Sequence, residues 1–186
     1  MGRINCSDDM LTEKTVADKE IYSGRVFKVV VRDILTPEGR HSTRELVFHN
    51  GGACILPVDK DLNCYFVKQF RSPLGKVLLE APAGKIEPGE DPFDCVSREI
   101  VEETGYQALN IESFGSMVAT PGYCSEIIHL YLGTDLKYVG GNPDESEYLA
   151  ACRLPLSDAL AMAESGKITD AKTLILIYKA ARRFGI

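Results

Sequence analysis

The hydrophobic pattern changes period three times along this chain. Arg25-Val26-Phe27-Lys28-Val29-Val30-Val31-Arg32 is β-branched, Pro37-Glu38-Gly39-Arg40 carries turn chemistry, and Thr43-Arg44-Glu45-Leu46-Val47-Phe48 alternates again. Glu20 to about Phe48 therefore predicts strands, and residues 16–50 a small antiparallel β unit. The polar, unpatterned residues 1–15 are expected to form a flexible or loosely docked start. A second β region follows, Gly52 to Val58 and Cys64 to Phe70, joined by Asp59-Lys60-Asp61-Leu62-Asn63, and its apolar runs read as core strands.

Between Asp91 and Thr104 the period becomes helical, entered through Pro88-Gly89-Glu90-Asp91-Pro92 and closed by Gly105. Strand-like stretches return at Ile111 to Val118, Glu126 to Leu132 and Tyr148 to Leu154. The last two are separated by the polar loop Gly140-Gly141-Asn142-Pro143-Asp144-Glu145-Ser146-Glu147. Two helices close the pattern: one capped by Ser157 and stopped near Gly166, one from about Asp170 with Leu174, Ile175, Ile177, Tyr178 and Ala181 at helical spacing. Strands and helices in this order predict an α/β (α+β) layered domain around a mixed sheet, with residues 51–186 as its main body.

Composition narrows the function classes. The 21 Lys+Arg against 27 Asp+Glu leave a formal net charge of −6 without a long basic run, which argues against a nucleic-acid partner. No apolar stretch approaches the roughly 18 to 20 residues of a membrane span, and Met1 to Lys14 lacks the apolar core of a secretory signal, so a cytoplasmic protein without a membrane partner is expected. Cys6, Cys54, Cys64, Cys95, Cys124 and Cys152 contain no CxxC pair. They read as reduced, small hydrophobes rather than zinc ligands or disulfides. His41, His49 and His129 are equally dispersed. Any bound metal should therefore be held by oxygen.

The informative stretch runs from Gly84 to Tyr106. At about 100° per residue, Glu99 and Glu103 lie roughly 40° apart on the helix, with Glu102 roughly 60° to the other side of Glu99. Phe93, Val96 and Ile100 share an adjoining face, so the helix is expected to anchor through them while its acids face outward. Like charges at i,i+4 cost a few tenths of a kcal/mol. Arg98 can reach Glu102, but one cation cannot neutralise three carboxylates. The run is either a solvated acidic face or an oxygen site for a hard divalent cation.

The spacing then carries a resemblance. Gly84, five residues, Glu90, seven residues, Arg98-Glu99-Ile100, one residue, Glu102-Glu103, one residue, Gly105-Tyr106 resembles the Nudix box at every defining position. That box is the signature of hydrolases that cleave nucleoside diphosphates linked to another moiety. The resemblance implies a Nudix α/β/α sandwich with a mixed sheet, and Mg²⁺, with Mn²⁺ a possible substitute. It implies Glu99 and Glu103 as principal metal ligands with the Ala83 carbonyl, Glu102 assisting, Arg98 orienting a carboxylate and Gly84 shaping the preceding loop.

The flanks resemble the ADP-ribose pyrophosphatase subfamily. Gln69-Phe70-Arg71 is similar to its QxR pattern, Glu80-Ala81-Pro82-Ala83-Gly84 to its E-x-P-A-G pattern, and Pro121, fifteen residues beyond the box, to its downstream proline. A pyrophosphate joining two riboses carries two negative charges, and Arg71 is placed by the resemblance to pair with a phosphate oxygen. Lys85 and Thr120 are further substrate-binding candidates. By position, Glu145 and Glu147 would supply the catalytic carboxylate, and Glu147 a further metal ligand. Arg25, Arg44, Glu45 and His49 would meet the nucleobase and Glu126 the terminal ribose. The family often stacks an aromatic ring on adenine after Tyr-x-Gly, whereas Arg25-Val26 follows Tyr22-Ser23-Gly24 here, so Arg25 or Phe27 would substitute.

The expected function is thus Mg²⁺-dependent hydrolysis of ADP-ribose to AMP and ribose 5-phosphate, by a homodimer whose N-terminal β unit serves dimerisation and base binding. The alternatives are a nucleotide-sugar pyrophosphatase of other base preference, such as GDP-mannose, and a non-catalytic ligand sensor. Sensors of this fold typically lose box carboxylates, and Glu90, Glu99, Glu102 and Glu103 are all present.

Overall fold

The computed structural model describes residues 8–141 and 148–186. The chain divides into two compact units.

The first unit comprises the chain up to Asn50 together with Thr120–Glu126. Its strands β1 (Lys14–Ser23), β2 (Phe27–Leu35) and β3 (His41–His49) form an antiparallel sheet in that order. The first strand starts at Lys14, six residues before the stretch whose pattern announces it, because β1 is exposed throughout and has no buried face to impose alternation. Its pairing with β2 through the backbone supplies the order instead. Val30 and Ile34 on β2 are buried. The segment Thr120–Glu126 is fastened to β3 by the backbone: Val47 N–H donates to Tyr123 O at 2.7 Å and Ser125 N–H to Val47 O at 2.9 Å.

Among its described residues the second unit holds two sheets and three α-helices. One sheet has the order β7-β4-β9-β8, from β4 (Gly52–Pro57), β7 (Ala83–Lys85), β8 (Tyr106–Val118) and β9 (Ile127–Tyr138). Here β4 and β9 run parallel while the outer pairs are antiparallel, which makes the sheet mixed. The other is antiparallel, β10-β5-β6, from β5 (Asn63–Arg71), β6 (Lys76–Glu80) and β10 (Leu149–Pro155).

Strand β4 explains the layering. All six of its residues are buried, and successive side chains of a strand point to opposite faces. Cys54 and Leu56 join Phe66, Leu130, Leu156, Leu176 and Ile177 in one core; Ala53 and Ile55 join Cys95, Val96, Ile100 and Tyr131 in the other. The first core is covered by α2 (Leu156–Glu164) and α3 (Ala171–Phe184), the second by α1 (Pro92–Thr104). The result is the α/β/α sandwich that the sequence implies. Of the six cysteines, Cys54, Cys64 and Cys95 are buried as free thiols, and Cys6 lies outside the described residues.

The helix ends follow capping chemistry with one exception. The Asp91 carboxylate accepts the Phe93 N–H at 2.8 Å, and Gly105 closes α1 at φ +75°. The Asp170 carboxylate accepts the Thr173 N–H at 3.0 Å at the start of α3. For α2, the predicted Ser157 cap is incorrect: the helix starts at Leu156 with no side-chain cap. β10 runs straight into it, and the Leu156 N–H is taken by the Leu62 carbonyl at 2.9 Å, so no serine is needed. No helix among the described residues is long and apolar enough to cross a membrane.

Candidate active site

On α1, Glu99 and Glu103 are buried, at 9% and 7% exposure. This corrects the expectation that the acids face outward while Phe93 anchors the helix: Phe93 is 48% exposed. The reason is the backbone of β7, which runs alongside this face of α1. The Ala83 N–H donates to Glu103 Oε2 at 3.0 Å. At Gly84 an added Cβ would stand 1.7 Å from Glu99 Oε1, far inside contact distance. Only glycine lets the strand come this close to the carboxylate. Glu102 is half exposed.

Arg98 draws the acids together. Its Nη1 donates to Glu99 Oε1 at 2.7 Å and to Glu102 Oε2 at 2.9 Å, and its Nε to Glu90 Oε1 at 3.2 Å. Burial opposes the guanidinium charge, but Glu99, Glu90 and Glu102 outweigh it and raise its affinity for the proton. Glu90 in turn accepts the Glu87 N–H at 2.8 Å, which closes the turn before the helix. One cation still faces three carboxylates. The donors at hand, Glu99, Glu103 and the peptide of Ala83-Gly84, are oxygens, the chemistry of a hard divalent cation. Among the described residues no three His, Cys, Asp or Glu groups cage an ion on their own. A cation here would complete its shell with backbone carbonyl, water and substrate oxygens, as Mg²⁺ commonly does.

A second charged group stands at the end of β5. Arg71 Nε and Nη2 each donate to the Glu80 carboxylate at 2.7 Å. Glu80 is 1% exposed and also accepts from Lys172 of α3. Burial alone would raise the Glu80 pKa; Arg71 and Lys172 overcome it and bring the carboxyl down to about 2. Lys172 also donates to Asp170 at 2.9 Å, and the buried Thr173 hydroxyl accepts the Ala81 N–H at 2.8 Å. No role for Glu80, Asp170, Lys172 or Thr173 in the site is legible in the sequence beyond the E-x-P-A-G motif, because the partners lie 92 positions apart.

A NUDIX domain profile matches residues 48–175, more than half of the chain. The chain belongs to the NUDIX family. It is 39% identical to the ADP-ribose pyrophosphatase of Bacillus subtilis (strain 168) over 169 residues, covering 90% of this chain and 91% of that one. It is equally identical, 39% over 170 residues, to the methanol dehydrogenase activator of Bacillus methanolicus, covering 90% and 92%. A GDP-mannose pyrophosphatase of Yersinia pestis (strain Pestoides F) is 32% identical over 179 residues, covering 89% and 90%.

The remaining predicted residues of this NUDIX chain fall in both units or outside the described residues. Lys85 is exposed on β7. In the N-terminal unit, Arg25 and Glu45 are exposed, and Arg44 is paired with Glu13 and hydrogen-bonded to Ser42 at 3.0 Å. Phe27 is exposed and packs against Tyr22, ring centroids 5.7 Å apart. His49 and Glu126, distant in sequence, meet with Nδ1 and Oε1 3.5 Å apart, because the Ser125 hydroxyl accepts the His49 N–H at 3.0 Å and seats the segment on β3. Thr120 is exposed at the start of that segment. Glu145 and Glu147 lie outside the described residues.

The Glu80 pairing sets a pH dependence. Its folded pKa is depressed from 4.5 to about 2, so its stabilisation is complete above pH 4.5 and is lost as pH falls toward 2. The shift corresponds to on the order of 3 kcal/mol. Urea unfolding at pH 6 and pH 2.5 is expected to show a larger loss of stability in the wild type than in Glu80→Gln. Equal losses would show that this carboxylate does not carry the effect.

Proposed function

We propose that this NUDIX chain hydrolyses the pyrophosphate bond of ADP-ribose to AMP and ribose 5-phosphate, with Mg²⁺ as the working ion and Mn²⁺ as a substitute. The observation that carries the reading is the apposition of Glu99 and Glu103 on α1 to the Ala83-Gly84 peptide, in a chain 39% identical to an ADP-ribose pyrophosphatase over 90% of its length. Glu99, Glu103 and the Ala83 carbonyl would hold the ion, with Glu147 contributing from its loop. A bound divalent cation supplies positive charge to the pyrophosphate oxygens and to the attacking water.

The chain's own groups do the rest. Arg71, already fixed by Glu80, directs its guanidinium at a phosphate oxygen, and Lys85 adds charge alongside. Glu145 or Glu147 takes the proton of the water as its oxygen bonds to phosphorus and the bridging P–O bond breaks. Glu102, held by Arg98, assists. Arg25, Arg44, Glu45 and His49 recognise the base, Glu126 the terminal ribose, and Thr120 supports that contact. A cytoplasmic location fits a nucleotide substrate.

A second reading rests on the Yersinia pestis relative and on Arg25-Val26 in place of an aromatic: a nucleotide sugar of other base, such as GDP-mannose, as substrate. A panel of ADP-ribose, GDP-mannose, diadenosine polyphosphates and NADH, with Mg²⁺ and released phosphomonoester as readout, separates the two. ADP-ribose is expected to be cleaved fastest, and Glu103→Gln and the Glu145→Gln/Glu147→Gln double variant to lower turnover by about 10² or more, the scale of losing a charge-stabilising or proton-transfer group. Preference for GDP-mannose would favour the second reading, and no cleavage of any member would overturn both.

The homodimer belongs to the same proposal. A lone three-stranded unit is marginal in water, and β1 exposes Val16, Ile21 and Tyr22. Light scattering at micromolar concentration is expected to give twice the 20.5 kDa chain mass. A monomeric mass would contradict it.

A further inference from the structure

The corner between β6 and β7 is fastened from three sides. The Ala81 N–H donates to Thr173 Oγ1 at 2.8 Å, the Ile55 N–H to the Pro82 carbonyl at 2.9 Å, and the Ala83 N–H to Glu103 at 3.0 Å. Thus α3, β4 and α1 each fix one peptide of Ala81-Pro82-Ala83. Thr173 is fully buried, and its hydroxyl in turn donates to Asp170 at 2.6 Å. That hydrogen bond leaves the oxygen's lone pair aimed at the Ala81 amide.

The neighbouring residue of α3, Lys172, shares the carboxylate that holds Arg71. Glu80 takes two cations: Arg71 through a two-pronged contact and Lys172 through Oε2. An isolated Arg71–Glu80 pair would present little net charge to an anion. Lys172, itself only 12% exposed, shares the Glu80 charge, while the Asp170 charge is partly absorbed by the α3 N-terminus it caps. Arg71 is 40% exposed and uses Nε and Nη2 on Glu80, so Nη1 has no protein partner among the described residues. A guanidinium whose rotamer is fixed in the folded state loses little freedom on meeting a phosphate.

We propose that Lys172 and Thr173, on the first turn of α3, are positioning residues of the hydrolase site: Lys172 acts through Glu80 on Arg71, and Thr173 acts through the Ala81 amide on the corner that presents the Ala83 carbonyl. The inference rests on the reading of the site as a metal-dependent pyrophosphatase. It adds to that reading a helix that touches neither substrate nor ion. The Lys172 limb governs anion binding and the Thr173 limb governs ion binding.

The test uses the full chain with Lys172→Met, Lys172→Arg, Thr173→Val and Thr173→Ser. Readouts are kcat and KM for ADP-ribose with Mg²⁺, Mn²⁺ affinity of the metal-free protein by electron paramagnetic resonance, inorganic pyrophosphate affinity, and the urea midpoint. Lys172→Met is expected to raise KM and weaken pyrophosphate about tenfold at unchanged Mn²⁺ affinity, with Lys172→Arg restoring most of it. It should have no further effect in an Arg71→Met background, since residues acting through one another are non-additive. Thr173→Val is expected to weaken Mn²⁺ about fivefold, with Thr173→Ser restoring it. Lower urea midpoints with KM, pyrophosphate and Mn²⁺ affinity unchanged would overturn the proposal and leave a structural network. Should Lys172→Met or Thr173→Val not fold, Lys172→Gln and Thr173→Ala decide by the same readouts. A wild type that cleaves no nucleotide sugar would sink the pyrophosphatase reading, while the Mn²⁺ and pyrophosphate arms still decide the positioning.

Discussion

The contact between Gly84 and Glu99 governs how the site is built. A carboxylate on a buried helix face needs polar surroundings, and here they come from the backbone of a three-residue strand so close that a Cβ at residue 84 would overlap the Glu99 carboxylate. This close approach places the Ala83 N–H on Glu103, the carboxylate one turn further along α1. It also explains why the acids of α1 are buried. Helix and strand are locked through charged groups, whose like charges are tolerable because Arg98 and backbone donors share them.

The same logic extends outward. α1 is oriented by Val96, Ile100 and Cys95 in one core, so its carboxylate face can turn only toward β7. β7 is set by β4, which also feeds the opposite core under α3. The first turn of α3 then returns to the corner ahead of β7 through Thr173 and to Arg71 through Lys172 and Glu80. Charged groups from all three layers thus converge on one short stretch of backbone, and the sandwich holds them with apolar packing on either side.

Much of the fold is legible in the sequence where one face is apolar and the ends carry caps. α1 is bounded by Asp91 and Gly105, α3 by Asp170, and β4 by an unbroken apolar run. β1 begins earlier than its pattern because an exposed strand has no hydrophobic period, and α2 has no side-chain cap because Leu62 supplies the acceptor. Of the site, the carboxylates and Gly84 stand out by spacing, since the helix fixes their relative angles. A helical wheel does not say which backbone approaches it, so the burial of Glu99 and Glu103 is invisible there. Pairs such as Lys172 with Glu80 and His49 with Glu126 depend on tertiary folding and leave no local signal.

If the close approach of β7 to α1 makes the site, enlarging residue 84 by one methyl should disable the chemistry before it disables the fold. The direct measurement is Mg²⁺-dependent ADP-ribose hydrolysis by Gly84→Ala, made on protein whose urea unfolding shows it to be folded. Turnover is expected to fall by about 10² or more, on the scale at which small misplacements of catalytic groups act. Wild-type turnover in folded Gly84→Ala would contradict it.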